Sequence, residues 1–274
     1  MDARSYLFVP GNRAERFDKA LASGADAVVL DLEDAVTLAD KAPAREAVSR
    51  YLVAADDALR SRLVVRINDC ATAWFDDDLA MLATARAACV MLPKAESPQT
   101  VARLRQACPG IAVLALVESA RGILQAEALA HAEGVERLVF GTLDFALDLD
   151  LVDDPVAGPL GLDAAASHLA WASRAAGLAA PVAGVTPDVD DVARLRADFA
   201  RSRAHGFGAK LCIHPRQVAW VHEALQPAEA ELDWARRVLA AAAAAPGAVQ
   251  LDGRMVDRPV VERARRLLQR AGLG

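Results

Sequence analysis

Apolar residues along the chain gather into eight short runs rich in β-branched side chains, separated by stretches with helical spacing. The runs are SYLFV (5–9), AVVLDL (27–32), LVVRI (63–67), CVMLP (89–93), AVLALVE (112–118), RLVFG (137–141), PVAGV (181–185) and AKLCI (209–213). They are continuous instead of alternating, as parallel strands buried on both faces are. The stretches between them are amphipathic; RAERFDKALASG (13–24) is one, with Gly24 reading as a helix stop. Eight strands alternating with helices specify a closed parallel barrel or a doubly wound sheet. No glycine-rich GxGxxG or P-loop follows any run, which weighs against the doubly wound nucleotide-binding option.

Two segments fall outside the alternation. Residues 148–161 (DLDLVDDPVAGPLG) read as an acidic loop after the sixth strand, on the face where a barrel carries its active site. The residues after the eighth strand read as an appendage. Residues 1–226 would form the barrel and residues 227–274 a C-terminal extension of helix, hairpin and helix. Asp252-Gly253 is a two-residue hairpin turn, and Pro259 suits the first turn of the last helix.

Composition narrows the class further. The chain has 274 residues, 54% hydrophobic and 25% charged, which suits one large folded core. Its net charge of −6 leaves no broad basic face for nucleic acid or membrane surfaces. No apolar segment reaches the roughly 18 residues of a membrane span. The opening MDARSYLFVPG lacks the long apolar region of a secretory leader. Cys70, Cys89, Cys108 and Cys212 form no CxxC pair, so reduced thiols and a cytoplasmic setting are expected.

The ends of the runs carry the candidate chemistry. Pro10-Gly11-Asn12-Arg13 follows the first; Asp31, Glu33 and Asp34 end the second; Arg66, Asn68 and Asp69 end the third. Lys94 ends the fourth, Glu118 the fifth, Asp144 lies just past the sixth, Thr186 ends the seventh and His214 the eighth. A ring of polar ends on one barrel mouth is a site hypothesis. Glu118 and Asp144, on neighbouring strands, suit a hard divalent cation, which needs few protein carboxylates. The competing structural reading pairs Glu118 with Arg121 and leaves Asp144 capping a turn. Arg66 interrupts an apolar run, so its charge needs compensation, and an ion pair with Glu33 or Asp34 is the structural alternative.

With these residues in view, the sequence resembles the citrate lyase β-subunit-like members of the HpcH/HpaI aldolase family. The matching segments are SYLFVPGNRAERFDKA, GADAVVLDLEDAV with Lys41 and Arg45 downstream, VVRIND, MLPKAES, ALVESARGI, FGTLDFALDL, GFGAKLCIHPRQV and DGRMVDRP. They run in order over almost the whole chain. The resemblance implies an α/β fold, a (β/α)8 TIM barrel with a C-terminal helical extension. It implies Mg2+, with Mn2+ as an alternative, and coenzyme A as part of the substrate. It makes Glu118 and Asp144 the metal ligands and Arg66 the residue that polarises the reacting oxygen. Phe8, Arg13 and Lys19 become contacts to the CoA moiety, and Leu143, Asp144 and His214 substrate contacts. Asp257 becomes an acid/base lent to a neighbouring subunit of a homo-oligomer, a trimer. Two departures stand out: Asp150 where the family often has glycine, and Leu143-Asp144 where it often has a Glu-Asp pair.

The implied reaction is reversible cleavage of a 3-hydroxyacyl-CoA such as malyl-CoA or citramalyl-CoA into acetyl-CoA and a 2-keto acid. Three other readings remain. One is a citrate lyase complex subunit acting on a citryl thioester of an acyl-carrier protein. Another is an aldolase on free 2-keto acids, and the last is a binding protein with a dead site. Asp257 and its terminal segment favour the stand-alone CoA lyase.

Overall fold

The computed structural model describes residues 3–152, 158–244 and 249–273. Eight parallel strands close into a barrel in sequence order: β1 (Ser5–Pro10), β2 (Ala27–Asp31), β3 (Leu63–Arg66), β4 (Cys89–Leu92), β5 (Ala112–Val117), β6 (Val135–Phe140), β7 (Val182–Ala183) and β8 (Ala209–Cys212). Every run of the sequence reading lies on one of these strands. The barrel interior is filled by alternate residues, among them Tyr6, Val29, Val64, Met91, Leu114, Leu116, Val139, Val182 and Leu211. The intervening residues, such as Val28, Leu30, Val65 and Val90, are equally buried beneath the helices. Burial on both faces is why the runs show no polar alternation.

Two strands differ from their runs. β6 begins two residues earlier than the run at Arg137, because Val135 pairs with Val113 across an irregularity in the ladder. β7 keeps only two residues of PVAGV. Pro181 has no N–H to donate. Gly184 lies so close to the Phe140 carbonyl and the Thr142 side chain that a Cβ there would meet the carbonyl oxygen at 2.9 Å.

The acidic stretch 148–161 is not one loop. The helix Thr142–Asp148 follows β6 directly and ends inside it, and the helix Gly158–Ala175 begins before it finishes. Phe145 anchors the first helix, with its ring edge on Phe140 at 5.3 Å between centroids. Residues 153–157 of that stretch lie outside the described residues.

The base of the barrel is closed by Arg137. Its guanidinium donates to the carbonyls of Ala180 at 2.5 Å and Ala3 at 2.6 Å, so this buried charge is satisfied without a carboxylate.

The chain divides into two compact units, Met1–His222 and Glu223–Gly274. The division falls inside the helix Pro215–Leu225. Within the second unit the helices Glu229–Ala244 and Arg258–Arg270 share a core of Leu232, Ala235, Val238, Val256, Ala264, Leu267 and Leu268. Its hairpin pairs β9 (Val249–Leu251) with β10 (Arg254–Val256). Asp252 and Gly253 turn it at φ 50° and 75°, the double left-handed geometry that an Asp-Gly pair tolerates. All four cysteines are free. No helix among the described residues is long and apolar enough to cross a membrane.

Candidate active site

A cavity of about 380 Å3 opens at the C-terminal ends of the strands. Its lining draws on β1 (Phe8), β2 and its loop (Asp31, Asp34, Ala35), β3 (Arg66), the end of β5 (Leu116, Glu118), residues Gly141 to Asp144, Val185, Leu211 and Ile213. The catalytic face of a (β/α)8 barrel is this one.

One wall is an ion cluster around Arg66. Its Nε and Nη2 donate to the two oxygens of Asp31, each at 2.7 Å, a bidentate pair that fixes the guanidinium plane. Asp31 also accepts from the backbone N–H of Glu33 and Ala35, so the loop after β2 is folded around its carboxylate. Nη1 of Arg66 lies 2.8 Å from Glu33 Oε2. That approach is close but poorly aligned, and Oε2 has no hydrogen-bond donor. Burial pushes the Glu33 carboxyl up to about 8, and the charges of Asp34, Glu118 and Asp31 add to this against the pull of Arg66. The Phe8 ring lies 4.8 Å from the Arg66 guanidinium carbon. The structural alternative for Arg66 is therefore part of the picture, with Asp31 as its main partner, while the guanidinium still faces the cavity.

Below this wall the loops are held by buried polar groups. Asp78 accepts from Asn68 N at 2.9 Å, Asn68 Nδ2 at 2.7 Å and Arg45 Nε at 2.6 Å. Lys41 donates to the carbonyls of Leu32 and Glu33. These residues, apolar in neither sequence nor role, act by holding the ends of β2 and β3.

Glu118 is 5% exposed and enters the cavity from the end of β5. Two backbone features aim it. Lys94 takes a left-handed conformation, φ 44°, and its N–H donates to Glu118 Oε1 at 2.8 Å. Gly141 lies flat against the side chain, where a Cβ would sit 2.5 Å from both Glu118 Cβ and Oε2. Burial pushes the Glu118 carboxyl up to about 7, with the Asp144 charge raising it further against the Lys94 N–H and Arg66. Asp144 lines the same cavity from the first turn of the helix Thr142–Asp148. The Glu118–Arg121 pairing does not form: Arg121 lies 3.7 Å from Glu96. No cluster of three or more metal-ligating side chains occurs among the described residues. Two carboxylates suffice for Mg2+, which fills the rest of its octahedron with water and substrate oxygens.

Of the residues singled out from the sequence, Phe8, Arg66, Glu118, Leu143 and Asp144 meet in this cavity. Arg13 and Lys19 do not line it; both are exposed on the segment after β1, and Arg13 pairs with Glu15 at 2.6 Å. His214 does not line it either. It accepts from Arg216 N at 3.2 Å, and Ile213 is the residue that reaches the cavity. Asp257 lies in the second unit as the N-cap of the last helix, accepting from Val260 N at 3.3 Å. Val185, Leu211, Ile213 and Thr142 were not foreseen as lining residues, because nothing in an apolar strand end marks it as facing a cavity.

Fold and cavity together define a TIM-barrel enzyme with several carboxylates at its mouth. The profile of the HpcH/HpaI aldolase/citrate lyase family matches residues 4–215, and that of carbon–carbon bond lyases of the TIM-barrel fold matches residues 166–273. The chain belongs to the HpcH/HpaI aldolase/citrate lyase family and is a carbon–carbon lyase. It is 40% identical to a citrate lyase subunit beta-like protein of Deinococcus radiodurans, over 97% of this chain and 96% of that protein. It is 34% identical to a (3S)-malyl-CoA thioesterase of Cereibacter sphaeroides, over 98% and 94% of the two chains. Among solved structures, protein CitE from Mycobacterium tuberculosis in complex with magnesium, acetoacetate and coenzyme A superposes with a TM-score of 0.88. That match has 38% identity and covers 98% of each chain.

Proposed function

We propose that this chain is a Mg2+-dependent lyase that breaks or forms the C2–C3 bond of a small 3-hydroxyacyl-CoA such as malyl-CoA or citramalyl-CoA, giving acetyl-CoA and a 2-keto acid. The observation that carries the proposal is the convergence of Glu118, Asp144 and Arg66 on one cavity at the barrel mouth. The donor set fits a hard cation: two carboxylates, one of them held near pH 7 by burial and by the other's charge. The related M. tuberculosis protein was solved in complex with magnesium and coenzyme A, which supports a bound cation and a CoA thioester here.

Glu118 and Asp144 would hold the cation, whose contribution is Lewis acidity toward the oxygens of the acid half. Arg66, its plane locked by Asp31 and its Nη1 beside the Glu33 carboxyl, would turn its charge on the oxyanion that develops as the bond breaks. The N–H groups at the start of the helix Thr142–Asp148 suit the carboxylate of the acid half. As C2–C3 cleaves and the thioester fragment becomes an enolate, the Asp257 carboxylate would take the hydroxyl proton and hand it to the enolate carbon; in the condensing direction it would carry the proton the other way. Arg13 and Lys19 would meet the CoA phosphates at the rim.

Asp257 would act in a neighbouring subunit of a trimer, its tail unit covering that subunit's mouth. The surfaces suit such a contact. Leu143 and Leu147 beside the cavity are 53% and 80% exposed, and Met255 on the tail hairpin is 66% exposed.

The test is an assay of the purified protein against malyl-, citramalyl- and citryl-CoA, with Mg2+ and with EDTA. Turnover that needs Mg2+ and vanishes in Glu118→Ala supports the proposal. Turnover unaffected by EDTA, or none with any thioester, overturns it.

A further inference from the structure

The carbon that becomes the keto group carries a substituent on the acid half: hydrogen, an alkyl group or a second carboxylate arm. The cavity lining is divided in a way that bears on this choice. Its ionisable side chains come from β2, β3, the end of β5 and the segment after β6. Among the described residues, the arc of β7, β8 and β1 supplies only Val185, Leu211, Ile213 and Phe8. Phe8, Val185 and Leu211 also pack on the barrel core, while Ile213, 40% exposed, forms the outer edge of this apolar arc. Arg66 is the one cation among the described lining residues, and Asp31 and Glu33 already engage it.

The β7–β8 seam is also built unusually. The ladder between these strands ends at Ala183–Lys210. Beyond it, side chains take over. Lys210 Nζ donates to Gly184 O at 2.7 Å. Gln217 Nε2 donates to Thr186 O at 2.9 Å, and Gln217 Oε1 accepts from Ile213 N at 2.9 Å. Gln217 is fully buried, so both bonds run without competing water. One side-chain amide thus fixes the residue after Val185 and the backbone of Ile213.

We infer that the β7–β8 arc is the specificity wall of this site. Val185, Leu211 and Ile213 accept a hydrogen or short alkyl substituent on the 2-keto-acid half and reject a second carboxylate. Gln217 is the positioning residue that sets the wall. The inference rests on the lyase reading for the identity of the ligand, but it concerns binding and not turnover. A methyl or ethyl group gains burial on the wall. A carboxylate placed there loses its water, meets no free cation and faces the charges of Asp31, Asp34 and Asp144.

The experiment titrates the full-length protein, loaded with Mg2+ and without CoA, with pyruvate, 2-oxobutyrate and fresh oxaloacetate in a calorimeter. Pyruvate and 2-oxobutyrate are expected to bind at least about tenfold more tightly than oxaloacetate, the scale on which a pocket of this kind discriminates. Ile213→Arg supplies the missing cation and should cut that ratio at least about tenfold. Gln217→Met keeps the length and loses both bonds; it should bring the ratio towards one while Mg2+ affinity holds. Gln217→Glu keeps only the acceptor for Ile213 N, should fall between, and carries the test if the methionine variant does not fold. Oxaloacetate binding as tightly as pyruvate, or a ratio unmoved by both the Ile213 and the Gln217 changes, overturns the inference. Keto-acid selectivity without turnover of any thioester would leave the wall standing and remove the lyase proposal. Failure of every keto acid to bind would remove both.

Discussion

Glu118 owes its aim to two backbone neighbours. Gly141 leaves room for the side chain to lie flat, and the left-handed backbone of Lys94 turns an N–H onto Oε1. A methyl group at 141 would meet Glu118 Cβ, which is fixed to the end of β5, as well as the movable carboxylate, so the backbone there must give. Gly141→Ala should therefore lower the stability of the barrel and weaken Mg2+ binding by about 10–100-fold, the usual cost of disturbing what orients a metal ligand. Calorimetric titration with Mg2+ checks this; unchanged affinity would mean Glu118 is not a ligand. Protonation gives a second test. In the metal-free protein Glu118 and Glu33 keep their protons up to about 7 and about 8, far above the ordinary carboxylate range. The folded state then binds more protons than the unfolded chain between roughly pH 4.5 and 8, so metal-free stability should fall as pH rises through that window. A cation that takes the place of the Glu118 proton has the opposite dependence, and its affinity rises with pH. The increase in Tm produced by Mg2+ over EDTA should grow steadily from pH 5.5 to 8. A flat difference would speak against Glu118 as the group displaced.

At the scale of elements, the helix Thr142–Asp148 carries Asp144 into the cavity, and its C-terminus explains a departure from the family pattern. Leu151 N bonds to Ala146 O and Asp150 N to Leu147 O, with Asp150 at φ 50°. This double bond pattern closes a helix on a left-handed residue, where glycine is the least strained choice. Asp150→Gly should stabilise the protein by about 0.5–1 kcal/mol, read from chemical denaturation, with no change in Mg2+ affinity. Destabilisation would show that the Asp150 side chain makes a contact worth more than the backbone strain. The same scale shows what was legible early. The eight strands, the Asp-Gly hairpin and the last helix with Pro259 in its first turn follow from local pattern and turn chemistry. The shortening of β7 does not, because it depends on Gly184 meeting Phe140 and Thr142 from the neighbouring strand.

For the whole molecule the open matter is the tail. The barrel unit holds Glu118, Asp144 and Arg66, and the tail unit holds Asp257. If Asp257 completes a neighbour's site, Asp257→Asn should retain its fold, since asparagine caps a helix as well as aspartate does. It should bind Mg2+ normally and lose turnover by about 100- to 10,000-fold, the usual worth of a general acid or base. Mixing it with Glu118→Ala subunits should restore part of the activity, because some sites then combine an intact Glu118 with an intact Asp257 from another chain. Subunit exchange is verified separately by mass. An inactive mixture with proven exchange, or a monomer in sedimentation, would rule out the shared site.

The sequence alone determined the elements and their class. Strands buried on both faces must be continuous apolar runs, strand ends at a barrel mouth must be polar where chemistry occurs, and an Asp-Gly pair suits a tight hairpin. It also supplied Glu118, Asp144 and Arg66 as candidates, since ionisable residues in apolar runs demand a reason. Only the tertiary structure decided that Arg66 pairs through two N–H donors with Asp31, 35 residues away, and that Lys94 acts on Glu118 through its backbone. Only closure of the barrel selected Val185, Leu211 and Ile213 as cavity lining from many similar apolar residues. The physical reason is one of range. Burial pattern and turn preference are written in neighbouring residues, whereas the direction a side chain faces at a barrel mouth is set by strands and loops far apart in sequence.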